Sequence, residues 1–257
     1  MAATCQIMCD STCDFTAEQA ERENIRILPF HYVEAGKPDG GLSGDDDLFQ
    51  SRSAHEFYDA IRRGAMPMTS QPSQLEYDEA FQAAYESGVP TVMFCISSGL
   101  SGGYQGACAS LERLKEAHPN EEVRIYVIDS LIASTSLTLL LEEACRQRDA
   151  GLNAEQLVMW AEEARYHVHT IFMVDNLDAL HRGGRLPKGW PSSETRSTSR
   201  HCCTSTSMAR WASAAWRADA RRAFARSSTS SRRPASSSPM ATSSPWATPT
   251  RPTTAMP

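Results

Sequence analysis

The sequence predicts an α/β fold with a largely parallel sheet. Three observations carry this reading. Short apolar runs over residues 6–9, 25–30, 91–96, 123–128 and 170–174 alternate with helical patterns, the rhythm of βαβ units. Four capping boxes open helices: Thr16 with Gln19, Ser53 with Glu56, Ser73 with Glu76, and Asn153 with Gln156. In each, a side chain and a backbone N–H satisfy one another at a helix start. Three of the apolar runs end in hydroxyl-bearing turns, Asp10-Ser11-Thr12, Ser97-Ser98 and Asp129-Ser130. A parallel sheet brings such turns to one edge, where ligands of these folds bind.

Taken in order, residues 6–9 read as a first strand. A polar turn over 10–14 follows, then a helix over 17–23. Residues 25–30 form a strand near a sheet edge, because Pro29 cannot donate to a ladder. Residues 35–51 are rich in Gly and Asp and read as loop. The helix opened by Ser53 carries Phe57, Tyr58 and Ile61 on one face and stops at Gly64. Residues 67–72 are too polar and too proline-bound for regular structure. Ser73 starts a helix ending near Gly88, and residues 91–96 form a buried strand. A helix over 104–116 follows, then the strand 123–128. Further helices run over 137–148 and from Asn153, followed by the strand 170–174, a short helix over 177–182, and Gly183-Gly184-Arg185.

The centre of this plan is Ile96-Ser97-Ser98-Gly99-Leu100-Ser101-Gly102-Gly103-Tyr104. A strand leads in and a helix leads out. The free N–H groups of that helix start favour an anion. Hydroxyls are plentiful and no cation sits in the motif, so the stretch reads as a cradle for one small acidic head group, a carboxylate. Ser, Thr and Asp also cap helices as their commonest task. For Ser11, Thr12 and Ser130 both readings stand; Ser97, Ser98 and Ser101 exceed what caps require.

The chain has 257 residues and a formal net charge of −6. That average hides a break. Residues 1–190 hold 15 Lys+Arg against 29 Asp+Glu, a charge of −14; residues 191–257 hold 10 Arg against Glu194 and Asp219, a charge of +8. The acidic part argues against nucleic acid, whose binding is dominated by cationic contacts to phosphate. No basic amphipathic helix, secretory signal or long apolar run points to a membrane. Cys95, Cys108 and Cys145 fall inside apolar-patterned elements as free thiols. Cys5, Cys9 and Cys13 lack the spacing of a metal site. A reducing cytoplasm is the expected compartment, with no metal or other cofactor.

Residues 191–257 contain no Leu, Ile, Val, Gly or Lys. Such a segment buries too little apolar area to offset an ordering cost of roughly 1–2 kcal/mol per residue, and it is expected to be disordered. Synonymous codons exist for which another reading frame encodes apolar, glycine-punctuated runs here. The tail is therefore read as a frameshift near Gly189-Trp190.

Five motifs in order make the chain resemble the DegV family of bacterial fatty-acid-binding proteins. They are Asp10-Ser11-Thr12 with Asp14, Thr69-Ser70-Gln71-Pro72, Ile96 to Gly102, Asp129-Ser130, and Gly183-Gly184-Arg185. The resemblance implies two α/β domains, the first over 1–150 with the head-group loops and the second beginning at 151–190, ahead of the off-pattern tail 191–257. It implies a long-chain fatty acid as ligand and a carrier rather than an enzyme, presenting that ligand to a fatty acid kinase subunit that forms the acyl phosphate. By motif match the carboxylate contacts fall on Thr69 and Ser101. Ser70, Ser97, Ser98, Gly102, Ser11 and Thr12 complete the candidate site. Cys9 and Gly103 stand where the family usually has Thr, so one head-group hydroxyl is expected to be absent.

Two other readings compete. Gly99-Leu100-Ser101-Gly102-Gly103 satisfies G-x-S-x-G, the nucleophile elbow of serine hydrolases, with Asp129 and His167 or His169 following in order. The same turn is also a weak candidate for phosphate, since no Walker or dinucleotide fingerprint accompanies it. Arg182 and Arg185 read either as solvated arginines of a tight turn or as contacts to an anion or partner. Asp45-Asp46-Asp47 reads as a solvated loop.

Overall fold

The computed structural model describes residues 3–34, 36–37, 41–174, 183, 185 and 201–204. All lie in one of the two units into which the chain divides, Met1–Ala215. The frameshift reading, the short helix over 177–182 and nearly all of the tail fall outside the described residues.

A four-stranded parallel sheet forms the centre. It contains β1 (Gln6–Asp10), β2 (Ile25–Leu28), β6 (Thr91–Cys95) and β7 (Ile125–Asp129), in the order β2-β1-β6-β7. Every pairing is parallel. Each β6 residue is buried, as expected of a central strand covered on both faces. From β1 the chain moves outward to β2, and from β6 it moves outward the other way to β7. The strand order therefore reverses between β1 and β6, the point beyond which ligands of open α/β sheets bind.

Alternate strand residues feed two cores. Ile7, Cys9, Val92 and Phe94 pack on one face with residues of α1 (Ala17–Arg22), α5 (Thr135–Asp149) and α6 (Ala154–Ala164). Met8, Met93 and Cys95 pack on the other with α3 (Gln74–Glu86) and α4 (Gly103–Ala117). Full burial of a Leu, Ile or Phe side chain contributes about 1.5–3 kcal/mol, so these two layers hold the sheet.

All four capping boxes form, at α1, α2 (Ala54–Arg62), α3 and α6. The box at Ser73 matters most for the site, because it begins α3 directly after the Thr69 motif. Ser73→Ala is expected to cost about 1 kcal/mol of stability, read from a denaturant titration of variant against wild type. A zero shift would mean that the box does not anchor α3.

Three expectations are corrected. Residues 67–72 are not wholly irregular: Met68–Ser70 is a strand, β5, in a three-stranded antiparallel sheet with β3 (His31–Val33) and β4 (Gly44–Asp45), order β4-β3-β5. For the same reason residues 35–51 are not all loop. Strands of two or three residues carry no alternation to read, and their pairing is set by partners far along the chain. Finally, β8 (Ile171–Val174) pairs antiparallel with β9 (His201–Thr204) rather than joining the parallel sheet.

Candidate functional site

The carboxyl ends of β1 and β6 are tied together by one buried carboxylate. Asp10 Oδ2 accepts a hydrogen bond from the Ile96 N–H at 2.7 Å, and Oδ1 accepts from the Thr12 N–H at 3.2 Å and from the Thr12 hydroxyl. Burial pushes the Asp10 pKa up to about 6, against the lowering effect of those donors. Asp129 does the same for the neighbouring turn: its Oδ1 accepts from the Ser98 N–H at 3.0 Å and the Leu131 N–H at 3.2 Å. Two strand-end carboxylates thus set the turns that carry the hydroxyls.

Above these turns lies a cavity of about 450 Å³, within the range of small-molecule sites. Of the eight candidate residues, Thr12, Thr69 and Ser101 line it. Thr69 is on β5, opposite Tyr32. Ser101 precedes α4, and its Oγ accepts from the Gly103 N–H at 3.2 Å. That leaves the Ser101 proton free for a ligand oxygen. Thr12 differs, because its proton is spent on Asp10.

The other five do not line the cavity. Ser11 is buried; its Oγ accepts from the Phe30 N–H at 2.9 Å and its hydroxyl bonds Asp46. Ser97 is buried and its Oγ accepts from the Gly99 N–H at 3.3 Å. Ser98 contributes its N–H to Asp129. Ser70 pairs with His31 in the small sheet. Gly102 is the N-cap of α4 and has no side chain to cap with; a Cβ there would stand 2.7 Å from Gln71 Oε1. The Gln71 side chain therefore packs directly against the first turn of α4, beside the Thr69 motif.

The apolar wall is aromatic. Phe30, Tyr32, Phe49, Phe57 and Tyr58 line the cavity, and Tyr32–Phe57 and Phe57–Tyr58 meet edge to face at 5.1 and 5.3 Å between centroids. The helix α2, which carries the apolar face of Phe57, Tyr58 and Ile61, has no buried residue at all. Phe49 and Tyr58 are 46% and 50% exposed. Leu48 and Phe49 both hold positive φ, 60° and 62°, a conformation that costs a non-glycine residue energy and marks functional sites.

Charge at the site also differs from expectation. No cation lies in the two hydroxyl motifs, yet Arg52 and Arg185 line the cavity. Arg185 Nε donates to the Leu100 carbonyl at 3.2 Å and its Nη1 to the Gly183 carbonyl at 3.0 Å. Its guanidinium is thereby fixed beside Ser101. Asp45, Asp46 and Asp47, read from sequence as a solvated loop, line the same cavity. Burial raises the Asp46 pKa, and Asp47 is engaged by the Gln50 and Ser51 N–H groups at 3.0 and 2.8 Å. Asp45 contacts His31 Nδ1 at 2.7 Å, while His31 Nε2 meets Glu76 at 2.9 Å. Burial alone would lower the His31 pKa, but these two carboxylates raise it. His31 thus joins the small sheet to α3.

The hydrolase geometry is not assembled among the described residues. Asp129 is occupied by backbone N–H groups. His167 pairs with Glu163 on α6's exposed C-terminal side at 3.1 Å, and neither His167 nor His169 lines the cavity. The imidazole that does, His31, has both nitrogens committed to carboxylates. No group of three or more metal-ligating side chains occurs among the described residues, and no helix there is long and apolar enough to cross a membrane.

Comparison with known proteins identifies the family and the fold. The DegV family, described as an uncharacterised protein family, matches residues 4–190. A DegV domain-containing protein of Clostridium perfringens is 31% identical over 186 residues, 72% of this chain and 62% of the relative. The chain spans about half to three-fifths of the length of the first curated relatives it matches. Among solved structures, a stearic acid-binding protein from Eubacterium ventriosum superposes with a TM-score of 0.68 at 26% identity, covering 79% of this chain and 67% of the other. A Thermotoga maritima protein whose structure revealed fatty acid binding gives 0.60 at 27% identity, covering 77% and 66%.

Proposed function

Because the chain belongs to the DegV family, we propose that it binds one long-chain fatty acid and holds the carboxylate through the hydroxyls of Thr69 and Ser101. The observation that carries this reading is their convergence. The two residues come from separate motifs and line one cavity with five aromatic rings and the Arg185 guanidinium. Ser70, Ser97, Ser98, Gly102, Ser11 and Thr12 shape the loops that aim those groups. The acyl chain lies against the aromatic wall. At about 0.8 kcal/mol per buried methylene, a C16 chain offers on the order of 10 kcal/mol before ordering costs, so the chain supplies most of the affinity and the head-group contacts supply selectivity.

The protein acts as a carrier in the cytoplasm, in keeping with the free cysteines among its described residues. It presents the bound acid to a separate fatty acid kinase, which phosphorylates the carboxylate. This step rests on the family resemblance. Acyl phosphate forming only when loaded protein, kinase and ATP are combined supports it; kinase turnover of free fatty acid without this protein contradicts it.

Mass spectrometry of lipid extracted from the purified full chain tests the binding itself. The expected result is fatty acid near one equivalent. An extract free of fatty acid, together with fluorophosphonate labelling of Ser101, would favour the hydrolase instead. Arg185 gives a further check. Arg185→Gln is expected to weaken fatty-acid binding about tenfold, with a larger loss at low salt than at high salt, because exposed charge pairs are screened. An unchanged affinity would mean that the guanidinium only braces Leu100.

A further inference from the structure

The hydroxyl of Tyr77 has no hydrogen-bond partner among the described residues, although the side chain is fully buried. Its ring lies against the first turn of α4. A Cβ on Gly103 would stand 3.2 Å from the hydroxyl, and one on Gly106 would stand 3.1 Å from the ring. Two glycines thus let an aromatic ring approach this helix start. The same Gly103 position is 3.7 Å from Ser101 Oγ and 3.7 Å from the tip of Phe30, and both of those residues line the cavity.

α4 is 15 residues long, its N-cap Gly102 makes no side-chain cap, and its first turn holds no acid. A helix start in that state favours a negatively charged ligand. The Tyr77 hydroxyl is the second, independent feature directed at the same place. Phenylalanine would fill the space without it, and an unpaired buried hydroxyl costs free energy. The group also stays a donor: burial, with Cys95, Asp10 and other acidic groups nearby, pushes its pKa well above the ordinary tyrosine value.

We infer that Tyr77 is a further specificity determinant, its hydroxyl donating a hydrogen bond to an oxygen of a carboxyl group seated between Ser101 and the start of α4. The inference rests on the carboxylate-binding reading of the site. It assigns to the phenol the hydroxyl that Gly103 cannot supply.

The experiment uses the delipidated full chain, wild type and Tyr77→Phe, with palmitic acid and methyl palmitate as competing ligands against a fluorescent fatty acid. Wild type is expected to prefer the acid. The variant is expected to bind the acid about tenfold more weakly, to bind the ester as wild type does, and to melt at the same or a higher temperature when unliganded. A variant that keeps the full acid-over-ester preference overturns the inference. So does one that loses acid and ester alike, because Tyr77 would then serve packing alone. Wild type without any acid preference sinks the carboxylate reading itself, and this inference with it. A Ser101→Ala control that loses the preference while Tyr77→Phe keeps it would leave that reading standing and remove Tyr77 from it.

Discussion

Replacing Thr69 and Ser101 together by alanine is expected to strip the purified protein of its fatty acid. Hydrogen bonds to a charged group contribute about 1.5–3 kcal/mol each, so each single variant should lose roughly ten- to a hundredfold in affinity. The double variant should fall below the range in which lipid survives purification. Neither side chain belongs to the buried core, so the fold should persist, which circular dichroism and a thermal melt would show. The Ser101 hydroxyl already accepts from the Gly103 N–H, and that contact polarises the proton it would offer to a carboxylate. Thr69, opposite Tyr32 on β5, lines the same cavity, and the neighbouring Gln71 side chain packs against the start of α4. Lipid retained unchanged in the double variant would remove both residues from the head-group site.

The second large effect concerns Asp10 and pH. An unfolded aspartate titrates near 3.9, whereas burial raises folded Asp10 to about 6. Between these values the folded chain keeps a proton that the unfolded chain releases. Stability contributed by this group is therefore complete below about pH 4 and is lost as pH rises through about 6. At 1.36 kcal/mol per unit of difference, the loss is about 3 kcal/mol. Asp10→Asn removes this titration. The unfolding free energy of wild type minus that of the variant should fall by about 3 kcal/mol between pH 4 and pH 7.5, measured by urea denaturation across that range. A difference that does not change with pH would show that Asp10 titrates as an exposed acid does. Asp10 ties Thr12 to Ile96, so this energetic cost is located where β1 and β6 diverge. Stability is held below its optimum there to keep two ligand-facing turns in fixed positions.

Much of this architecture was legible beforehand, for physical reasons that differ between elements. The all-buried run of β6 and the four reciprocal caps are local signals that tertiary context did not override. Pro29 marked an edge strand, and β2 is at the edge of its sheet. The small β4-β3-β5 sheet was not legible, because Gly44–Asp45 and His31–Val33 are too short to show a period and are paired only through distant partners. The ligand wall was visible but ambiguous. Phe57 and Tyr58 stand four and three residues before Ile61, a helical spacing that is the same whether the face covers a core or a ligand. Only the absence of any buried residue on α2 separates the two. Arg185 was visible as part of a glycine-flanked motif, yet nothing local announces that its guanidinium reaches the Leu100 carbonyl.

A crystal structure of the full chain grown with palmitic acid addresses the central claim directly. The account predicts one carboxylate oxygen within hydrogen-bond distance of both Thr69 Oγ1 and Ser101 Oγ, or the two oxygens divided between them, with the acyl chain running along Phe49, Phe57 and Tyr58. A palmitate whose head group lies away from both hydroxyls, or whose chain leaves that aromatic wall, would contradict it.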